Sequence, residues 1–112
     1  MAVIQIFGKS KCFDTKKAER FFKERGVKVQ FIDLPRYGIS RGELQSVMRA
    51  VGGLEHLVNE KHPEAATVQY LAYDEDKIEA VLDNPSLLRT PIVRNGRVAT
   101  VGECIEVWKE WV

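Results

Sequence analysis

Residues 6–18 read Ile-Phe-Gly-Lys-Ser-Lys-Cys-Phe-Asp-Thr-Lys-Lys-Ala, and this segment carries the strongest structural signal in the chain. A short apolar strand runs into a polar turn, and a cysteine and a basic amphipathic helix follow. Cys12 is therefore expected at the N-terminus of a helix, where the positive end of the helix dipole stabilises a thiolate over a thiol. Because the thiolate is the nucleophile in disulfide chemistry, the pattern predicts a reactive cysteine.

The neighbours of Cys12 suggest how its thiolate could be stabilised. Thr15 offers a hydroxyl that could hydrogen-bond either the thiolate or the backbone at the start of the helix. The basic residues either lower the pKa of the thiol, Lys11 foremost, or form a solvated face. These residues are Lys9, Lys11, Lys16 and Lys17.

Composition limits the classes of function. The 112 residues predict one domain over 1–112, and a net charge of +1 gives no signal for nucleic acid or a membrane surface. The N-terminal residues lack the features of a signal peptide, so we expect a cytoplasmic protein with reduced cysteines. His56 and His62 are expected at the surface, and no Cys/His cluster has the spacing of a metal site.

The predicted elements form two halves. Residues 2–7 predict a strand, 13–25 a helix with Phe13, Ala18, Phe21 and Phe22 on its apolar face, and 28–34 a parallel second strand. A helical insert around 40–83 follows: Ser40 and Glu43 form a capping box, 54–73 has no clear pattern, and Asp74 can cap a further helix. Residues 90–101 predict a hairpin with an Asn-Gly turn, and a last helix follows Gly102 and Glu103. This order predicts an α/β, thioredoxin-like fold with a mixed four-stranded sheet.

Five motifs in this order resemble the arsenate reductase-like (ArsC/Spx) family of the thioredoxin-like superfamily. They are Lys11 to Ala18, Asp33-Leu34, Ser40 to Leu44, Thr90-Pro91-Ile92-Val93 and Thr100-Val101-Gly102. The resemblance covers nearly the whole chain. It implies that Pro91 follows a cis peptide bond and faces Cys12, while Thr90 presents its backbone to a bound peptide or to glutathione, in the manner of an added strand.

Two further features of the last helix are open. Gly102 and Glu103 either open a helix whose free N–H groups bind a carboxylate, or form a plain turn. Cys104 either resolves an oxidised Cys12 or is a packed thiol.

Departures from the family motifs bear on the substrate. In arsenate reductases of this type the cysteine opens Cys-Gly-Thr-Ser-Arg, an arginine precedes the cis-proline, and further arginines complete an oxyanion site. Here Thr90 precedes Pro91 and Val101 lies near the place of another arginine. Since arginine binds oxyanions with a planar fork of donors, the sequence predicts that arsenate is not the natural substrate. Thr15 also stands where the Spx proteins have the second cysteine of a redox switch.

Two functions follow from this reading. The first is a glutathione-linked thiol-disulfide oxidoreductase that uses Cys12, without a permanently bound cofactor or metal. Its partners would be glutathione or a glutaredoxin- or thioredoxin-type reductant. The alternative is a non-catalytic, Spx-like module that binds a protein partner or senses redox state.

Overall fold

The computed structural model of the chain describes residues 4–112, and two central strands connect its halves. The strand predicted over residues 2–7 corresponds to β1. Residues 2 and 3 of that prediction lie outside the described residues. The elements are β1 Ile4–Gly8, α1 Phe13–Glu24, β2 Val29–Asp33, α2 Leu34–Tyr37, α3 Arg41–Val51, α4 Ala65–Gln69, α5 Asp74–Asp83, β3 Ile92–Asn95, β4 Val98–Val101 and α6 Ile105–Trp108. Short 3₁₀ turns occupy Leu54–His56, Pro85–Leu87 and Lys109–Trp111.

The sheet has four strands in the order β2-β1-β3-β4. β1 pairs in parallel with β2 through the crossover helix α1, whereas β3 pairs antiparallel with both β1 and β4. Phe7 lies opposite Ile92, so the C-terminal end of β1 meets the start of β3. The thioredoxin-like fold expected from the order of elements is therefore confirmed, including its mixed four-stranded sheet.

Both faces of the sheet are buried by helices. On one face, Ile4, Ile6 and Val93 pack with Ala18, Phe21, Phe22 and Trp108 from α1 and α6. The other face is covered by the helices between β2 and β3, through residues that include Leu44, Val47, Ile78 and Val81. The alternation of side chains along β1 divides the core in this way, because Ile6 and Phe7 point to opposite faces.

The capping box predicted at the start of α3 is present. The Ser40 hydroxyl accepts from the Glu43 N–H at 3.2 Å, and the Ser40 N–H donates to the Glu43 carboxylate at 3.1 Å. Across residues 4–112, none of the helices combines the length and apolar character that crossing a bilayer requires.

Three local predictions are corrected by the structure. Phe13 does not join the buried face of α1 and is 79% exposed, because it is the first helical residue and projects beside Cys12. Asp74 does not cap α5; it is the first helical residue, and Tyr73 holds the N-cap position. His62 is half-buried and hydrogen-bonds the Ser86 hydroxyl at 3.0 Å. Arg94, next to the hairpin turn, is also half-buried, against Gln5 and Ser46.

The last helix also begins later than expected. α6 starts at Ile105, with Cys104 at its N-cap, so Gly102 and Glu103 lie in the turn before it. Trp108 is fully buried against Phe21 and Phe22, and its indole N–H donates to the Thr100 hydroxyl at 2.8 Å. This bond ties α6 to β4 inside the core.

Removing the acceptor of the Trp108 N–H should destabilise the protein. Thr100→Val keeps the shape of the side chain but leaves a buried donor unsatisfied, which costs about 1–3 kcal/mol. Urea unfolding followed by circular dichroism measures the difference, and Thr100→Ser, which keeps the hydroxyl, is the matched control. Equal midpoints for Thr100→Val and the wild type would show that this hydrogen bond contributes nothing to the stability.

Candidate active site

Cys12 lies where a strand end, a turn and a helix start meet. The turn after β1 closes with a hydrogen bond from the Cys12 N–H to the Lys9 carbonyl at 3.0 Å. Cys12 then takes the N-cap position of α1 with extended backbone angles, φ −84° and ψ 122°. Its side chain is half-buried, so the sulfur is accessible while its orientation is set by the backbone on both sides.

Thr15 packs directly beneath this turn. Its side chain is fully buried, and its hydroxyl accepts a long hydrogen bond from the Lys9 N–H at 3.4 Å. Gly8 makes this position possible, because a Cβ on residue 8 would lie 2.4 Å from the Thr15 methyl carbon and 2.7 Å from its hydroxyl oxygen. The last residue of β1 must therefore lack a side chain for Thr15 to reach the site.

Thr90 contacts the sulfur from the other half of the chain. Its hydroxyl donates to Cys12 Sγ at 3.1 Å, and its carbonyl lies 3.7 Å from the same atom. The Thr90–Pro91 peptide bond is cis, as the resemblance implied, and Pro91 is buried. Cys12, Thr90 and Pro91, predicted from separate motifs, thus meet at one end of the sheet.

Hydrogen bonds control the acidity of the thiol. Burial by itself raises the pKa of Cys12, but hydrogen bonds from the hydroxyls of Thr15 and Thr90 and from the N–H groups of Thr15 and Asp14 outweigh burial and lower the pKa below its ordinary value. Thr15 is thus one of the groups that lower the pKa of Cys12, and its hydroxyl also bonds the backbone of Lys9, in the turn that precedes the helix.

The lysines have a smaller part in this than the sequence suggested. Within residues 4–112, the causes of the lowered pKa are the hydrogen bonds to the sulfur and include no lysine charge. Lys11 and Lys16 are exposed, and Lys17 pairs with Glu103 at 3.0 Å. Lys11 thus lies in solvent next to Cys12 along the chain.

The backbone N–H groups expected to bind a carboxylate near Gly102 are not free at that residue. The Gly102 N–H donates to the Pro91 carbonyl at 2.8 Å, and the carboxylate of Glu103 is engaged by Lys17. α6 begins two residues further on and has four residues. Of the two alternatives for Gly102 and Glu103, the structure at Gly102 agrees with the turn, because its N–H is bonded to the Pro91 carbonyl. Cys104 is half-buried, with its sulfur 3.5 Å from the Val101 carbonyl, and is packed against the core cluster around Trp108.

Arg89 is a neighbour of the site that sequence reasoning missed. A pocket of about 190 Å³, here called the Thr90 pocket, is lined by Lys9, Asp14, Asn59, Leu88, Arg89, Thr90 and Gly102. A second hollow, of about 410 Å³, shares Arg89 and Asn59 with it and continues to His56 and Lys61. Arg94 points elsewhere, to Gln5 and Ser46. The clue in the sequence was the place of Arg89, two residues before Pro91.

The sheet, the cis-proline and the cysteine at the start of the first helix define the class of protein: a thioredoxin-like thiol domain. A model of the ArsC family matches residues 7–111, and the chain belongs to this family. No curated protein sequence matches the chain.

Solved structures share this fold. An arsenate reductase from Vibrio cholerae is 19% identical, with a TM-score of 0.86 and coverage of 99% of this chain and 98% of the other. The YffB protein is 25% identical, with a TM-score of 0.78 and coverage of 96% and 97%. A Staphylococcus aureus protein determined by NMR is 23% identical, with a TM-score of 0.79 and coverage of 96% and 97%. Between Ile4 and Val112, no group of three or more His, Cys, Asp or Glu side chains is arranged to hold a metal ion.

Replacing the Thr90 hydroxyl should raise the pKa of Cys12. Thr90→Val removes a hydrogen-bond donor that stabilises the thiolate over the thiol, so the pKa of Cys12 should move upward, toward the ordinary value of a cysteine. The ultraviolet absorbance of the thiolate against pH gives the value, in a Cys104→Ser background that leaves one titrating thiol.

Thr90→Ser retains the hydroxyl and is the control for this titration, with a pKa close to that of the parent. If Thr90→Val and Thr90→Ser titrate alike, the Thr90 hydroxyl does not stabilise the thiolate.

Proposed function

We propose that this protein is a thiol-disulfide oxidoreductase in which Cys12 alone is the nucleophile and glutathione is the co-substrate. The observation that carries the proposal is the pair of threonine hydroxyls, Thr15 and Thr90, that lower the pKa of a half-buried but accessible sulfur. At a given pH, a larger fraction of Cys12 is therefore thiolate than in an unperturbed cysteine, and its hydrogen bonds fix the orientation of the sulfur.

The reaction has two exchange steps. The Cys12 thiolate attacks one sulfur of a disulfide; a bond forms to Cys12, the disulfide bond breaks, and the other sulfur leaves as a thiolate. Glutathione, as its thiolate, then attacks the mixed disulfide, which regenerates the Cys12 thiolate and yields an oxidised glutathione species. Each exchange conserves one disulfide bond, so the complete two-electron reduction of a disulfide consumes two molecules of glutathione, which end joined as one glutathione disulfide. No permanently bound cofactor takes part in this proposal.

Thr90 is the proposed backbone partner of the substrate. It lies outside β3, and no acceptor for its N–H is found within residues 4–112. An extended peptide next to Cys12 could pair with this N–H as a short added strand. Pro91, buried behind it, supports Thr90 in this position.

Cys104 is not assigned a role in resolving the mixed disulfide. Its sulfur faces the Val101 carbonyl, and it packs against the cluster that contains Trp108. An external thiol, either glutathione or the thiol of a glutaredoxin- or thioredoxin-type protein, therefore completes the cycle in this proposal.

An interaction module is a second candidate, and the exposure of Phe13 favours it. An aromatic ring that is 79% exposed immediately after the cysteine is suited to contact with another protein. In this alternative the fold binds a protein partner and Cys12 senses redox state. Turnover distinguishes the two, because a module does not cycle with a small thiol.

Turnover should depend on Cys12 and not on Cys104. With a glutathione mixed disulfide as substrate and glutathione as reductant, Cys12→Ser should abolish turnover because it removes the nucleophile. Formation of oxidised glutathione, followed through glutathione reductase and NADPH consumption, measures the rate. Cys104→Ser is the matched control and should retain most of the activity. Absence of turnover in the wild type would refute the enzyme proposal in favour of the module.

Arsenate should be a poor substrate even with glutathione and glutaredoxin supplied. Thr90 and Val101 stand where the arginines of an oxyanion site are expected from the family pattern, and threonine and valine cannot replace a bidentate guanidinium. A coupled assay of arsenate reduction tests this, and saturable turnover that disappears in Cys12→Ser would contradict it.

A further inference from the structure

Arg89 has the properties of a free anion-binding group beside the site. Its side chain is exposed, and within residues 4–112 neither it nor Lys9 takes part in an ion pair. Both line the Thr90 pocket, together with Thr90 itself. Arg89 directly precedes Thr90 in the chain, and the Thr90 hydroxyl bonds Cys12 Sγ at 3.1 Å.

The backbone of Arg89 is held firmly. Its N–H donates to the Leu57 carbonyl at 2.7 Å, the Asn59 N–H donates to the Leu87 carbonyl at 2.7 Å, and Val58 and Leu88 form a β-bridge between these bonds. The segment before Thr90 is thus a short ladder. Because the backbone of Arg89 is already ordered, less conformational entropy is lost when its side chain binds a ligand.

The guanidinium lies over Gly102. Its Nη2 atom is 3.4 Å from the point that a Cβ on residue 102 would occupy, and Nη1 makes a long hydrogen bond of 3.4 Å to the His56 carbonyl. Gly102 has φ +76°, a backbone conformation that favours glycine, and a Cβ at this position would lie at van der Waals contact distance from the guanidinium of Arg89. The planar guanidinium of Arg89 therefore forms part of one wall of the Thr90 pocket, and its Nη2 atom has N–H groups that can donate to a ligand.

We propose that Arg89, assisted by Lys9, binds a carboxylate of the small thiol or disulfide that reacts with Cys12, so that anionic disulfides are the preferred substrates. This inference rests on the proposed function. In this proposal the carboxylate of the co-substrate binds Arg89 in the Thr90 pocket. It does not bind the turn at Gly102, because the Gly102 N–H already donates to the Pro91 carbonyl. Asp14 also lines the pocket, so its carboxylate weakens the preference that the two cations create.

Two matched disulfides test the proposal. The first is 3,3′-dithiodipropionate, which carries a carboxylate on each half, and the second is bis(2-hydroxyethyl) disulfide, which is neutral. Quenched-flow samples analysed by intact-protein mass spectrometry give the second-order rate constant for each mixed disulfide. The ratio of the anionic to the neutral rate constant cancels changes in the thiolate fraction, and the pKa of Cys12 in each variant is measured as a check.

Arg89→Gln should lower this ratio about five- to tenfold, as expected for the loss of one charge-assisted contact that is partly exposed to water. Arg89→Lys keeps the charge without the fork and should give an intermediate ratio. Asp14→Asn should raise the ratio, and high salt should reduce it in the wild type. Arg49→Gln, an exposed arginine on α3, is the control and should leave the ratio within about twofold.

An unchanged ratio in Arg89→Gln, or an equal loss of both rates, overturns this inference while leaving the proposed function intact. Failure of the wild type to form a mixed disulfide with either reagent overturns both. The proposal requires the selective loss of the anionic reaction in Arg89→Gln, with the opposite change in Asp14→Asn.

Discussion

The pairing of β1 with strands from both halves of the chain holds the fold and the site together. β1 pairs with β2 on one side and with β3 on the other. The segment that leads into β3 therefore lies beside the C-terminal end of β1. Gly8 ends this strand and Thr90 precedes β3, and Cys12 lies between them in space. The hydrogen bond from Thr90 to Cys12 joins residues 78 positions apart, and the pairing of two central strands makes it possible.

The acidity of Cys12 illustrates how short-range forces outweigh nearby charges. Lysines close in sequence seemed the natural source of a lowered pKa, but the long side chains of Lys11 and Lys16 extend into water, where a charge acts weakly on its neighbours. Hydroxyl and backbone donors in direct contact with the sulfur are more effective because they act at hydrogen-bond distance. The site is therefore built by packing, and Gly8 is part of it through the space it leaves for Thr15.

Sequence reasoning was most successful where the signal is local. The capping box at Ser40, the Asn-Gly turn of the hairpin and the strand-turn-helix around Cys12 were predicted because neighbouring residues determine them. The cis bond before Pro91 came from the resemblance to the family.

The segment between α3 and α5 could not be predicted, because a bridge between Val58 and Leu88 orders it and no local pattern reveals that pairing. The role of Gly102 was missed for the same reason, since its N–H is used by Pro91, eleven positions earlier. Arg89 belonged to no motif, and only the folded chain brings it beside Lys9.

The outer strand β2 has a consequence for self-association. Its residues 30 and 31 are exposed, and Phe31 presents 38% of its surface, so this strand resembles the open edges through which proteins aggregate. β2 has five residues, however, and Leu34 opens α2 immediately after it, with Pro35 in the first turn. Proline lacks the N–H that a growing ladder needs, so an incoming strand could add few hydrogen bonds before the helix stops it. The direct transition from β2 to α2 thus limits the number of hydrogen bonds that another strand can form at this edge.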